Sequence, residues 1–327
     1  MIAFGAAITK PEPYERYAEP GIRRAAEADS AVYAFAGVGP VARTYNLILD
    51  AAASRADLEA LVLVHPHMEI ADPDFCHTVR QALRDHHVGV VGVLGAASVR
   101  SIAWWEGMVS MGRVVHRYGE YGGGDLAAWA WTHPQPAPTD VDAVDGALLV
   151  LSPWAVRTVR FDEALVMNYG FDLDYCRQVR AAGRTVVTAD LRAVYHHSLK
   201  LIDDLDLWVQ AHMQVTEKWD APDDVDWHRR TRRAEAVREA ERAIAYTRTL
   251  AAETRIRELE RAMDVATATL SWRVTAPLRR LNSFRRRLLG QRPPDLVLGD
   301  HRRVSRDPGA HAHAGQALRD RERARVE

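Results

Sequence analysis

The chain has 327 residues and a formal net charge of −1, but residues 1–227 hold 19 Lys+Arg against 31 Asp+Glu, and residues 228–327 hold 24 against 13. An apolar content of 47% excludes a wholly disordered chain. The two cysteines, Cys76 and Cys176, exclude a disulfide framework and point to a reducing cytoplasm. No uncharged run approaches the ~18–20 residues of a membrane span, and no signal peptide is expected at the start.

In chain order, the apolar runs at 2–7 and 31–36 read as strands. Val41, Tyr45, Ile48 and Ala52 follow at helical spacing. Leu61 to Val64 reads as a short buried strand. Asp72-Pro73 predicts a helix start, with Phe75, Val79 and Leu83 continuing it. Residues 88–94 read as a further strand. This β-α-β-α-β order predicts a parallel sheet with helices on its faces. Such sheets bind ligands at the carboxyl ends of their strands, so the residues just after Val64 matter most. Residues 95–139 are irregular, with Trp104, Trp105, Trp129, Trp131, a Gly122–Gly124 run and three Pro, and are expected to be a functional loop. A strand over 146–151, a helix over 172–182 ended by Gly183, and a strand over 185–189 follow, with His196-His197 just beyond. Residues 203–228 carry seven Asp and one Glu and read as a peripheral helix and acidic connection.

Four short constellations carry possible chemistry. In His65-Pro66-His67-Met68-Glu69 the two His point the same way on an extended segment, and Glu69 is two residues on. Imidazole and carboxylate suit Mn²⁺, Fe²⁺ or Zn²⁺, although polar residues at a strand end are the plainer reading. Asp145-Gly146 precedes a strand and by itself is a turn signal. Asp172 and Asp174 stand at a helix start, where the macrodipole favours carboxylates whatever their chemistry. His196-His197 close the set.

The order and spacing of these pieces are more specific than any one. His65-Pro66-His67, Trp104-Trp105-Glu106-Gly107, Val144-Asp145-Gly146, Phe171-Asp172-Leu173-Asp174-Tyr175-Cys176, Gly183-Arg184 and His196-His197 together resemble the family 2 glycosyltransferases. The runs Gly89 to Val93, Val144 to Ser152 and Phe161-Asp162-Glu163 are similar to the subgroup related to the streptomycin-cluster glycosyltransferase-like domain. The resemblance covers about residues 1–200. Its implication is a GT-A fold, a Rossmann-like α/β/α sandwich with a mostly parallel sheet, over residues 1–202. A nucleotide-binding half (1–100) would precede an acceptor half (101–202). Such enzymes move a sugar from a nucleotide diphosphate sugar to an acceptor hydroxyl, usually with inversion. A carboxylate must take the acceptor proton, and the resemblance assigns that to Asp172, with Asp174 orienting it or capping the helix. It places Trp104, Trp105, Glu106 and Asp145 on the acceptor side, where an indole could stack on a sugar face or simply pack. It places Ile8 and Asn46 near the donor.

The family's DxD-type motif holds a divalent cation, Mn²⁺ or Mg²⁺, on the departing diphosphate. Here His65 and His67 stand at the expected Asp positions. By analogy with DxH variants, His67 and His196 would bind the cation, with Glu69 or His65 helping; otherwise His67 and Arg side chains would cover the diphosphate without metal.

Residues 229–270 are rich in Ala, Arg and Glu, lack Gly and Pro, and predict a long helix. Ile256, Leu259, Met263, Ala266 and Leu270 keep heptad spacing, and Val237, Ala240 and Ile244 keep it in another frame. The helix either packs on its own domain or dimerises the chain. Val274, Leu278, Leu281, Phe284 and Leu288 form the apolar stripe of a basic amphipathic helix over 271–290, suited to an anionic membrane surface. Residues 291–327 read as a disordered tail. Nucleic acid is not expected, since no recognition motif accompanies the Arg-rich stretch. The expectation is a cytoplasmic enzyme peripheral to the inner face of the plasma membrane, acting on an envelope polysaccharide or glycolipid. The rival is a degenerate nucleotide-sugar-binding scaffold that dimerises through 229–270.

Overall fold

A computed structural model describes residues 1–107, 109–112, 114–118, 125–126, 138–165, 169–197, 202, 204–220, 225–269, 274–275 and 277. Trp129, Trp131, the Gly122–Gly124 run, nearly all of the basic stripe and the whole tail lie outside them.

The chain opens with strand β1 (Ile2–Ile8), a short helix α1 (Pro11–Pro13), a π turn at Tyr14–Ala18 and helix α2 (Glu19–Ala25). Then come β2 (Ala31–Ala36), α3 (Val41–Ala53), β3 (Ala60–Val64), β4 (Met68–Ile70), α4 (Phe75–Ala82) and β5 (Val88–Gly92). The middle holds β6 (Leu94–Ala97), β7 (Val109–Gly112), β8 (Val114–Tyr118), β9 (Asp125–Leu126), β10 (Thr139–Val141), β11 (Ala143–Val144) and β12 (Leu148–Leu151). The remainder is α5 (Pro153–Thr158), α6 (Phe171–Ala181), β13 (Thr185–Thr188), β14 (Ala193–His197), α7 (Leu205–Trp219) and α8 (Val225–Ala268).

Seven strands form the central sheet in the order β10-β13-β5-β12-β3-β1-β2. β2, β1 and β3 run parallel, as do β5 and β13; β12 enters antiparallel between β3 and β5, and β10 is antiparallel at the edge. Five of the seven strands thus share one direction. β3, β5 and β12 are buried throughout, as strands covered on both faces must be. Neighbouring residues of β1 show the two covers. Phe4 meets Phe75 of α4, with ring centroids 6.1 Å apart. At Gly5, which must face the other way, an added Cβ would come within 2.5 Å of Ile48 on α3. Helices therefore cover both faces, and the three-layer α/β/α sandwich expected for a GT-A domain is present.

The differences from the sequence reading are local. The Asp72-Pro73 pair does not start α4: Asp74 occupies the N-cap position, and Asp72 instead accepts from the Asp74 backbone N–H. The segment 95–139 contains β6–β9 and a 3-10 turn at Trp104–Glu106, where an irregular loop was expected. His196 and His197 lie within β14, paired beside β8. The helix expected after residue 203 is present as α7, but it is not peripheral, because Trp208, Val209, Ala211 and Val215 are all buried. Among the described residues no helix is long and apolar enough to cross a membrane.

Candidate functional site

Two clusters sit where β3 ends and β12 begins, and a short stretch of backbone joins them. After Val64 the chain turns sharply, with Met68 N–H donating to His65 O, and returns as β4. His65 N–H donates to Ala147 O at 2.9 Å, just before β12. Asp145 Oδ1 in turn accepts from Ala147 N–H at 2.7 Å. The His turn and the acidic pair are therefore built on one hydrogen-bonded corner at the carboxyl end of β3.

In the first cluster the rings of His65 and His67 stack at 5.5 Å, so the two His do share a side as predicted. His67 N–H donates to His65 Nδ1, so neutral His65 carries its proton on Nε2. Burial, and then the charge of His67, push His65 down to about 3. His67 Nδ1 lies 2.9 Å from His196 O, a carbonyl that can only accept. Its proton is therefore on Nδ1, leaving a lone pair on Nε2. Burial holds His67 below the usual histidine range, with the His196 carbonyl opposing and nearby Lys10 assisting. His196 is committed elsewhere: Nε2 is 2.9 Å from Glu69 Oε2, and its ring stacks on Tyr17 at 3.8 Å. Glu69 also meets Arg24 at 3.3 Å, and Arg24 donates to Ile70 O.

This geometry bears on the expected cation set of His67, Glu69 and His196. Glu69 Oε2 and His196 Nε2 are spent on each other and Glu69 Oε1 on Arg24, so of the expected ligand atoms only His67 Nε2 keeps a lone pair without a partner among the described residues. Among the described residues no group of three or more His, Cys, Asp or Glu side chains could hold a metal ion. The residues present do not fit a protein-built metal cage.

The second cluster is a carboxylate pair. Gly170 takes a left-handed φ of 77° as the N-cap of α6, and a Cβ there would come within 2.7 Å of Ile102. Asp172, in the first turn, accepts from Gly146 N–H through Oδ2 and from Leu173 N–H through Oδ1, both at 2.9 Å. Gly146 has to be glycine, since a Cβ would lie 2.7 Å from the Phe171 ring. Both carboxyls are half-buried at the residue level. Burial, followed by the charge of Asp172, pushes Asp145 up to about 7. Burial also raises Asp172, but its backbone N–H donors oppose the shift. The two carboxyls therefore resist carrying two negative charges together, and the backbone N–H donors favour charge on Asp172.

Asp174 does not join that pair. Residues two apart on a helix point to nearly opposite sides. Its carboxylate is 1% exposed and binds Lys218 at 2.8 Å, Trp219 Nε1 at 2.8 Å and Gln178 Nε2 at 2.8 Å. Lys218 also holds Asp162 at 2.7 Å. The expected catalytic part for Asp174 gives way to a structural one, a clamp of α7 onto α6. Asp174→Asn is expected to lower stability by about 2 kcal/mol, since charge-assisted bonds to buried groups carry roughly 1.5–3 kcal/mol each and Lys218 keeps Asp162. Urea melts of the full chain check this; an unchanged midpoint would remove the clamp.

Four more expected site residues make contacts within the fold. Asn46 uses its amide on a loop, with Nδ2 donating to Phe161 O and Glu163 Oε1, and Oδ1 accepting from Phe161 N–H. It fastens α3 to that loop. Trp104 is 4% exposed and belongs to the core, so it offers no face to a sugar. Trp105 is half-buried against Trp208, and its buried Nε1 has no partner among the described residues. Glu106 is raised by burial and bonds Arg242 of α8 at 2.9 Å. Ile8 closes β1, partly buried, with Lys10 just beyond it. Sequence reasoning missed Lys10, Tyr17 and Arg24. Lys10 follows a strand end and was findable by the carboxyl-end rule; the contacts of Tyr17 and Arg24 exist only in the fold.

The chain is similar to several known proteins. A relative named as a streptomycin biosynthesis protein, StrF of Streptomyces griseus, is 29% identical over 205 residues, covering 61% of this chain and 67% of that one. Among solved structures, the mannosyltransferase PcManGT from Pyrobaculum calidifontis, in complex with GDP-Man and Mn²⁺, gives a TM-score of 0.42 at 13% identity. It covers 89% of this chain and 88% of that one. S. aureus TarS gives 0.36 at 10%, over 73% and 43%. The model of the family described as "Glycosyltransferase like family" matches residues 24–219, which span β2 to α7 and contain both the His turn and the carboxylate pair. More than half of the sequence lies within that match, and the chain belongs to the glycosyltransferase-like family.

Proposed function

We propose that the chain transfers a glycosyl group from a nucleotide diphosphate sugar to an acceptor hydroxyl with inversion, Asp172 acting as the base. The Asp145–Asp172 pair carries this reading: one carboxylate is held by two backbone N–H groups at a helix start, beside a second that keeps a proton to about pH 7. The attacking hydroxyl gives its proton to Asp172 as its oxygen bonds to the anomeric carbon and the bond to the diphosphate breaks. A single displacement of this kind inverts the centre. Neutral His65, with its proton on Nε2, and Lys10 supply donors on the side where the diphosphate charge grows. The acceptor proposed is a polysaccharide or glycolipid of the envelope, in keeping with the basic stripe after residue 271.

A nucleotide-sugar-binding domain without turnover is the second reading, favoured by the engagement of Glu69 with His196 and Arg24. A thermal-shift screen of nucleotide diphosphate sugars, each with and without Mn²⁺ and Mg²⁺, tests both. Donor at 100 times its Kd is expected to stabilise the fold by about 2.7 kcal/mol. No shift with any donor would reject the proposal. A shift without nucleotide diphosphate release would leave the binding domain. A shift that depends on Mn²⁺ and is lost in His67→Ala would assign the His67 lone pair to a cation shared with the donor.

A further inference from the structure

We infer that residues 248–268 of α8 form a parallel two-stranded coiled coil with the same residues of a second copy of this chain. Ile256, Leu259, Met263 and Ala266 follow one another at heptad spacing on a described helix. Ile256 is 55% exposed, Leu259 50% and Met263 47%, so the large apolar side chains of this stripe stand open. The upstream stripe of Val237, Ala240 and Ile244 runs in another frame, and Ala236, Ala240 and Ala243 are already buried. The open stripe is therefore a separate surface.

The charges beside it select the occupant. The heptad puts Thr249, Ile256 and Met263 at a, and Ala252, Leu259 and Ala266 at d. Arg248 and Arg255 then fall at g, and Glu253 and Glu260 at e. In a parallel pair each g residue meets the e residue five positions on in the other helix. Arg248 meets the other copy's Glu253, and Arg255 its Glu260, in both directions across the seam. In an antiparallel pair g faces g and e faces e, which sets Arg on Arg and Glu on Glu. Ile at a with Leu at d also favours two strands. All four charged side chains are exposed, and among the described residues Arg255 pairs with Glu258 of its own helix at 3.2 Å, a weak surface pair that it can exchange. Thr249 and Ala252 make a poor first layer, so the dimer dissociates on dilution.

Light scattering on full-length chains tests this. The wild type is expected to run as a dimer. The double variant Glu253→Arg/Glu260→Arg places Arg at these e and g positions, and Arg248→Glu/Arg255→Glu places Glu there. Each alone is expected to run as a monomer at the same concentration, and an equimolar mixture to recover the dimer. A wild type that stays monomeric at the highest concentration reached overturns the proposal. Variants that dimerise like the wild type assign the contact to another surface, and a mixture that stays monomeric overturns the parallel pairing. Ala266→Cys adds an independent reading: parallel helices set the two d positions face to face, so oxidation should cross-link the dimer. Cys76 and Cys176 are buried and do not compete. A dimer that fails to cross-link there is not parallel in this register.

Discussion

Replacing Asp172 by Asn is expected to lower glycosyl transfer by roughly 10²–10⁴-fold, the usual range for a positioned general base. Donor binding and the fold should survive nearly intact. The amide keeps one oxygen for Gly146 N–H or Leu173 N–H and loses the other bond, at a cost of about 1 kcal/mol. Asn cannot accept the proton of the attacking hydroxyl, so the loss falls on the rate. Release of nucleotide diphosphate from the donor, calorimetric donor binding and a melt of the same preparation separate the cases. Normal release would move the base elsewhere. Lost donor binding with an intact melt would make Asp172 a binding group. The comparison with Asp174→Asn sharpens the result, because the two carboxylates are two residues apart and face different tasks. One should fail in rate and keep its midpoint; the other should lose midpoint through Lys218 and Trp219.

The β/α order of the first hundred residues was legible because strands buried on both faces read as unbroken apolar runs, as in Leu61 to Val64. Strand direction was not. The run Leu148 to Leu151 looks the same whichever way it is laid, and its antiparallel entry between β3 and β5 depends on the path of the preceding segment. The short strands β6–β9 escaped because runs of two to five residues among Gly and Trp carry little periodicity. Within the site, Asp172 and Asp145 were found through motif order, and the fold brings them together. The division between Asp172 and Asp174 was readable in principle, since helical geometry turns alternate residues apart. What separates Trp104 from a sugar platform is burial, which residue type alone does not report. His196 was placed near the turn of His65 and His67, but its bond to Glu69 depends on the register of β14 against β4, set by residues more than a hundred positions apart.

Asp145→Asn is expected to make the chain more stable at pH 8 than the wild type, and no more stable at pH 4. The folded carboxyl holds its proton to about pH 7, whereas an unfolded Asp releases it near its ordinary value of about 4. Between those values the folded chain binds one more proton than the unfolded chain, so wild-type stability falls as pH rises through this window. At ~1.4 kcal/mol per unit the loss has a ceiling of roughly 4 kcal/mol, and water at the open edge of the side chain reduces it. Asn resembles the protonated form, keeps an oxygen for Ala147 N–H, and has no proton to lose. Denaturant melts of both proteins at pH 4, 6 and 8 read the gap directly, and a gap independent of pH would show that Asp145 ionises normally in the fold. The destabilisation above pH 7 is what a site built for proton transfer would carry. Burial and the Asp172 charge make a negative charge on Asp145 costly, so Asp145 keeps its proton to about pH 7 beside the carboxylate proposed as the base. Asp145→Asn removes that tension, and it should lower transfer at the pH where it most stabilises the fold.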